Sequence, residues 1–480
     1  MREIMNKDVK QIVPNSACLS CDVCCRFPQR ETVYAPYFLS CETGALKDKI
    51  AEKIEQKPFP VSCNDYYACQ FFNSSDNRCF IYLKRPLDCR IYPFMVTYSK
   101  DFKSVVLTLD KKCPYIADKT QKKEIKEYAA YLADMLETKA MIEQINRDKN
   151  FINDFQEDSV VLKKLDSVSR RLGLNQCGLK KISINDKEVF DKYFSKINSG
   201  SPCFSFVSIY VWSGSLNILW KKIGGCLCVF AGNDMDYFML IPPAGAKLEK
   251  NTLKQCLKIL SVLNKDSGFK TKIENIPQGF EDALSSLGLK VKIASHEYIY
   301  KQNELSQLKG DKFKEKRSAV NSFLKNHKYT LRPFAIEDTF ACLGLYKKWA
   351  QQRLEKIKDD YFRLSLEDSY FAQKTAMLNI EGLGLKGLVV EINGEIRGYT
   401  LGYSLSKEVF IVLFETCDLR IKGLAQFIFK EFCTRLSNFK YINALGDSGL
   451  ENLRKQKESY RPTQRLAVFT ALPTSSQLPS

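Results

Sequence analysis

Four cysteines stand at the spacing C-x2-C-x2-C-C: Cys18, Cys21, Cys24 and Cys25. Four more follow at Cys69, Cys79, Cys89 and Cys113. A C-x2-C turn lets two thiolates reach one ion at about 2.3 Å each. Four thiolates around Zn²⁺ leave a net charge of about −2, which the nearby Arg85 and Arg90 could offset. An iron–sulfur cluster held by four thiolates suits the same spacings, so zinc and iron both stay open. Cys24 and its neighbour Cys25 need not serve the same ion. Cys41 and Cys63 lie outside these spacings and read better as buried free thiols, a common fate of cysteine.

A second kind of chemistry is spread over the C-terminal half. Arg420-Ile421-Lys422-Gly423-Leu424-Ala425 lies between a β-prone run and a helical one. Glycine admits close backbone approach, and the first N–H groups of a helix lack intrahelical partners, so this pattern can cradle a phosphate. The bland alternative is a plain helix start. From Leu308 to Arg332 there are eight basic and two acidic residues, a net +6. Such a segment favours polyanions, although the stems of Lys316 and Arg317 could equally pack on a core. Asp447 ends a strand before a helix, where it caps that helix or contacts an amine. Arg454 reaches phosphate or solvent. The two histidines, His296 and His327, sit in no acid–base constellation.

Elements to position these residues are legible from periodicity. Residues 1–118 form a cysteine-rich domain. From Lys119 to about Asn150, Ile125, Tyr128, Leu132, Met135, Leu136 and Ile142 recur at helical spacing. A long amphipathic helix is expected there, within a helical linker over 119–175. From 176 to 301, Phe204–Trp212 is aromatic and β-branched, and Asn217–Trp220 and Cys226–Ala231 read as strands. Phe238–Ile241 pairs with the latter across Gly232-Asn233-Asp234. A helix at Leu253–Leu263, a strand near Ile273, a helix at Phe280–Leu287 and a strand near Val291 follow. Residues 302–471 repeat that order. Helices are expected near Ser318–Lys325, Ile336–Arg353 and Phe371–Leu378. Strands Gly387–Ile392 and Glu395–Tyr403 are joined by Asn393-Gly394, a strong hairpin signal because both residues tolerate positive φ. Val409–Thr416, a helix at Gly423–Leu436, a strand at Tyr441–Ala444, a helix at Leu450–Ser459 and a strand at Arg465–Thr470 complete the pattern. The tail, 472–480, reads as disordered.

The bulk figures set bounds. With 480 residues, 45% of them hydrophobic, the chain exceeds one core and implies several domains. No apolar run reaches the length of a membrane span, and the amino end lacks a secretory apolar core. A cytoplasmic setting is expected, where ten cysteines in the first 113 residues point to metal rather than disulfides. Net charge +18 favours anionic partners.

The cysteine region carries a resemblance. C-x2-C-x2-C-C, then Cys69-Gln-Phe-Phe, Cys79-Phe-Ile-Tyr and Arg85-Pro86-x-x-Cys89-Arg90-x-Tyr92-Pro93-Phe94 resemble the YkgJ-type cysteine-cluster family over residues 15–116. That resemblance implies zinc or iron chelation by the eight cysteines.

The C-terminal part also resembles a known family. Leu308-Lys309-Gly310, Lys316-Arg317, Asn321-x-Phe323, Trp349 with Arg353, Ile421-Lys422-Gly423, Gly449 to Lys455 and Ser459-Tyr460-Arg461-Pro462 are similar to the C-terminal domain of phosphatidylglycerol lysyltransferases. The resemblance covers about residues 180–471. It implies an α+β or α/β chain: a small cysteine-rich metal-binding domain followed by two tandem GNAT-like acyltransferase folds. The implied donor is an aminoacyl-tRNA or an acyl-CoA. The donor-binding candidates are Lys316, Arg317, Asn321, Arg420, Lys422, Gly423, Ala425, Asp447, Arg454, Lys455 and Tyr460. No catalytic residue stands out, and an activated ester needs little acid–base help when positioning supplies much of the rate. Three readings compete: a GNAT-like acyl- or aminoacyltransferase, a metal-containing RNA-binding protein without activity, and a lipid aminoacyltransferase on an anionic membrane surface.

Overall fold

The computed structural model describes every residue except 1–8, 20, 22, 28–33, 47–59, 64–65, 77, 101–102, 117–121, 173–176, 198–199, 234–235, 246–247, 265–270, 356, 358–359 and 474–480. The chain divides into two compact units, Met1–Lys180 and Lys181–Ser480.

Unit 1 opens with short strands β1 (Arg26–Phe27), β2 (Val61–Cys63) and β3 (Tyr66–Ala68), a small sheet in the order β1-β3-β2. The two-residue strands β4 (Phe72–Asn73) and β5 (Arg78–Cys79) form a hairpin. Strands β6 (Phe94–Tyr98), β7 (Val105–Asp110) and β8 (Ser159–Leu165) make an antiparallel sheet. β6 and β7 are buried at every position. Helix Lys123–Leu136 buries Ile125, Tyr128, Leu132 and Leu136, the spacing of one helical face. The long helix expected to about Asn150 breaks at Glu137–Thr138. There the Thr138 hydroxyl donates to the Met135 carbonyl (2.8 Å), a local bond that competes with helix continuation. A second helix runs Lys139–Arg147. Beyond it, β8 pairs with β7. Residues 122–172, expected to lie in a linker, are therefore part of the packed unit.

Unit 2 is built on one twelve-stranded sheet. In chain order its strands are β9 (Lys180–Lys181), β10 (Asn217–Ile223), β11 (Cys226–Gly232), β12 (Tyr237–Met239), β13 (Ile273–Pro277), β14 (Leu289–Lys301), β15 (Thr330–Pro333), β16 (Lys386–Ile392), β17 (Glu395–Ser404), β18 (Val409–Cys417), β19 (Tyr441–Gly446) and β20 (Gln464–Pro473). In space they run β15-β16-β17-β18-β19-β14-β20-β13-β12-β11-β10-β9. Each half contributes an antiparallel meander and one parallel step, β12 with β13 and β18 with β19. Asn393 and Gly394 turn β16 into β17 with φ of 55° and 77°, as that dipeptide demands.

The expected cut between halves at residue 301 does not separate two sheets. The chain's last strand, β20, lies between β13 and β14, both first-half strands. Leu472 and Pro473, expected in the tail, belong to it; the rest of the tail lies outside the described residues. The turn residue Asp234 lies outside them too. Phe204–Trp212, for all its β-prone residues, holds the helix Phe206–Tyr210 between two 3₁₀ turns. Phe206, Val207, Ile209 and Val211 are buried there, and Phe206 meets Phe190 edge-on at 5.4 Å. Tertiary packing overrides strand propensity.

One face of the sheet carries a core that includes Phe190, Trp220, Val229, Ile411 and Leu413. The other packs Tyr298, Tyr300, Phe410, Val412 and Ile442 against helices Gln302–Gln307, Lys314–Asn326 and Leu424–Thr434. Among the described residues no helix is long and apolar enough to cross a membrane.

Candidate functional site

In unit 1, all eight cysteines of the two sets line a single cavity of about 490 Å³. Its walls also include Tyr34, Phe38, Phe71, Arg85 and Tyr92. The Cys24 thiol hydrogen-bonds those of Cys18 and Cys25. The bond to Cys24, then burial, pushes the Cys18 thiol up; burial pushes Cys69 up to about 11 and Cys89 upward as well. An ion bound here would have to displace those protons. The acid in the lining, Asp88, accepts from the Tyr37 amide (2.9 Å). The donor set is thus dominated by soft sulfur, which suits zinc or iron. Among the described residues no group of three or more His, Cys, Asp or Glu side chains is arranged to hold an ion as the chain stands. The chemistry of the walls fits such a metal, then, while closure around it requires the thiols to draw together.

The two arginines expected to offset thiolate charge part company. Arg85 lines the cavity, with its guanidinium 3.7 Å from the Tyr82 ring centroid, and favours an ionised Cys18. Arg90 turns instead to Glu42 at 3.4 Å, a buried acid that also accepts from the Leu39 and Leu87 amides. Cys41 is exposed rather than buried, and Cys63 is half-buried.

In unit 2, β18 and β19 pair only from Val409–Ile411 to Tyr441–Asn443 and then part. Opposite them, β17 meets β18 with a register shift: Leu401 faces Phe414, but Gly402 faces Val412. Leu413 is the extra residue, and a bulge of this kind re-aims the side chains beyond it. Val412 and Cys417, five positions apart, consequently share one core. By strand alternation Glu415 turns to that same face.

Glu415 Oε2 is buried and has no hydrogen-bond partner. Burial, eased by the positive Lys457, pushes its carboxyl up to about 8. Lys457, on helix Glu451–Glu458, is pulled down to about 8 by burial against the pull of Glu415 and Asp447. Its Nζ donates to the Ala444 carbonyl, just past the paired stretch of β19. Tyr300 donates to the Lys457 carbonyl (2.8 Å). An acid and a base with perturbed proton affinities therefore lie beyond the point where β18 and β19 stop pairing, an arrangement suited to proton transfer.

The residues expected to bind the donor are distributed unevenly around this opening. Lys316 Nζ donates to Ser459 Oγ (2.6 Å) and lies 4.4 Å from the Tyr460 ring centroid. Tyr460 is buried beside Phe429 and Tyr300. Asp447 accepts from the Tyr298 hydroxyl (2.7 Å) and the Gly449 amide (3.0 Å). It thus shapes the turn before the helix rather than capping it, the cap position being Leu450. Arg317 is spent on the carbonyls of Leu308 and Gly310. Arg420 is paired with Asp418 (2.7 Å). Arg454 and Lys455 pair with Glu451. Lys422 and Asn321 are exposed, and Ala425 is half-buried against the core.

Gly423, the centre of the expected cradle, has φ 84° and caps helix Leu424–Thr434 with no side-chain hydrogen bond. A Cβ there would meet the Ala319 carbonyl oxygen at 2.1 Å. The glycine is therefore required by the neighbouring helix Lys314–Asn326, whatever else approaches it. The basic segment is partly consumed locally. Lys312 pairs with Glu304 (2.5 Å), and Arg332 with Asp338 (2.6 Å) and Glu391.

Glu415 and Lys457 were not among the expected residues. The available signal was an acid near the end of an otherwise apolar strand, VFIVLFETC.

Comparison with known proteins agrees with the two-part reading. Residues 17–130 match the family described as "Putative zinc- or iron-chelating domain". Residues 195–472, more than half the chain, match the family described as "Phosphatidylglycerol lysyltransferase, C-terminal". A conserved protein of unknown function from Bacteroides thetaiotaomicron is similar in structure at TM-score 0.53 and 24% identity, over 62% of this chain and 99% of that one. L-PGS from Bacillus licheniformis is similar at TM-score 0.42 and 14% identity, over 60% and 92%. No curated protein matches. The chain has a mixed α/β architecture and belongs to the phosphatidylglycerol lysyltransferase C-terminal family.

Proposed function

We propose that unit 2 transfers an acyl or aminoacyl group, with chemistry at the opening between β18 and β19. The observation that carries this reading is the buried, unpartnered Glu415 Oε2 on β18 together with Lys457, whose Nζ reaches the Ala444 carbonyl of β19 just past the paired stretch; burial pushes the acid up and the lysine down. The Glu415 carboxylate takes the proton of an attacking hydroxyl or amine. A bond forms from that oxygen or nitrogen to the donor carbonyl carbon. The ester or thioester bond breaks, and Lys457 lends a proton to the departing oxygen or sulfur. Lys316, Tyr460 and the uncapped start of helix Leu424–Thr434 hold the donor's anionic part. An aminoacyl-tRNA or an acyl-CoA supplies such a donor. Arg317, Arg332 and Lys312 are engaged within the fold, which weighs against the basic segment as a surface for RNA alone.

Transfer of label from aminoacyl-tRNA and from acyl-CoA by the full chain tests the reading. Glu415→Gln and Lys457→Met should each lower the rate by roughly 10²–10⁴, the range of general acid–base catalysis. Undiminished transfer in both variants would remove the assignment.

In unit 1, the cysteine walls hold a thiophilic metal, zinc or iron, with Cys18, Cys21, Cys24, Cys25, Cys69, Cys79, Cys89 and Cys113 as the donor pool and Arg85 balancing thiolate charge. The metal supplies cross-linking of short loops. Elemental analysis with a visible spectrum of anaerobically purified protein distinguishes zinc from an iron–sulfur cluster.

A further inference from the structure

One short segment of unit 1 faces two ways. Cys79, Ile81, Tyr82 and Arg85 line the thiol cavity. Between them, Phe80 is 73% exposed and Leu83 95%. Among the described residues these are the two most exposed large hydrophobic side chains. The backbone that carries them is pinned. The Phe80 amide donates to the Phe71 carbonyl (2.8 Å) and the Lys84 amide to the Ile81 carbonyl (2.7 Å). The Tyr82 hydroxyl donates to Asn15 Oδ1 (2.6 Å). The Arg85 guanidinium donates to the Tyr82 carbonyl (2.9 Å) and to Gln11 Oε1 (3.0 Å). A fixed turn, Tyr82–Lys84, thus holds two apolar prongs out in water.

The side chains beside the prongs set the partner. Arg78 and Lys84, one before Phe80 and one after Leu83, are both exposed. The nearby acid, Asp76, accepts from the Arg78 amide (3.1 Å). Cations therefore outnumber acids around the apolar pair, which complements an anionic surface. Size then decides which surface. A stable protein interface takes about 800 Å² from each partner, far more than two side chains present. A bilayer asks for less. Burying one Phe or Leu side chain is worth about tenfold or more in partition, and one cation beside anionic headgroups about fivefold.

We propose that Phe80 and Leu83 insert into the surface of an anionic bilayer, with Arg78 and Lys84 on its phosphates. This lipid-docking surface belongs to unit 1 and stands whether or not unit 2 transfers anything.

Sedimentation of the full chain with vesicles tests this. One set is phosphatidylcholine alone; the other is equal parts phosphatidylcholine and phosphatidylserine. Phosphatidylserine supplies the charge, so recognition of phosphatidylglycerol by unit 2 does not enter. The parent should favour the anionic vesicles. Phe80→Ser with Leu83→Ser should weaken that binding about a hundredfold, tenfold for each prong. Arg78→Gln with Lys84→Gln should weaken it roughly twentyfold and leave binding to phosphatidylcholine unchanged. Attraction through the chain's general positive charge alone would leave the serine pair bound as tightly as the parent, and that result would overturn the proposal. Phe80→Trp serves if the serine pair fails to fold, because the chain's own tryptophans, Trp212, Trp220 and Trp349, all lie in unit 2. The added emission should shift to the blue on anionic vesicles and be quenched by brominated acyl chains. Emission that vesicles leave unchanged would overturn the proposal as well. A parent that forms dimers which the serine pair separates would assign the surface to a second copy of the chain, and the lipid assignment would fall.

Discussion

The two candidate sites are assembled in opposite ways. The thiol cavity of unit 1 draws its walls from short sequence spacings and two-residue strands, over a core cluster of Phe27, Phe38, Cys69, Phe71 and Ile81. The opening in unit 2 is set into large cores on both faces of a long sheet, and its acid and base come from a strand and a helix of that framework. Where apolar burial is scarce, a ligand must supply cohesion; where it is abundant, the fold can hold an unpaired carboxyl under strain. The cysteine region of unit 1 should therefore depend on its metal for shape, and unit 2 should hold its shape and lose only chemistry when its site is altered.

The largest expected effect tests the first half of that contrast. Chelation, or Cys21→Ser with Cys24→Ser, should expose the cysteine region of unit 1 to limited proteolysis while unit 2 survives intact. Structural zinc contributes on the order of 10 kcal/mol in small domains, far more than so small a core replaces. Equal resistance of both units after chelation would erase the distinction. Next comes the pH profile of transfer. With Glu415 required ionised and Lys457 required protonated, the rate should rise and then fall around pH 8, a bell belonging to the pair jointly. Lys457→Met should remove the alkaline fall, and a flat profile in the parent would count against the pair.

Smaller effects probe the scaffold. Gly423→Ala places a methyl against the Ala319 carbonyl at positive φ. About 2 kcal/mol or more of stability should be lost in denaturant titration, with no loss expected if the glycine serves the donor alone. Smallest is Arg332→Ala. It removes the pairing to Asp338 and Glu391 from a side chain 35% exposed, so roughly 1 kcal/mol or less should go, shrinking further with salt.

Much of unit 2's fold was legible because its signals are local. Asn393-Gly394 announces its hairpin, and the period of Leu253, Cys256, Leu257 and Leu260 announces its helix. The cysteines were legible as a set because ligand chemistry constrains their spacing, and they do share one cavity. What escaped depends on register and long-range packing. Nothing local says that Leu413 bulges out of β18 and re-aims Glu415. Lys457 lies in a helix so polar that it reads as a solvated face, yet Tyr300 and Ala444 draw it inward. Arg317 and Arg420 looked like anion ligands because sequence cannot reveal that carbonyls and Asp418 already occupy them.

The position of β20 has a consequence for how the protein comes into being. During translation β13 and β14 leave the ribosome early, each with an edge that only the last strand, Gln464–Pro473, can cover. The nascent first half must wait with those edges bare, a state prone to mispairing. A premature stop codon shortly before Gln464 would thus damage the half of the unit made first, and quality control would meet it there rather than at the missing end.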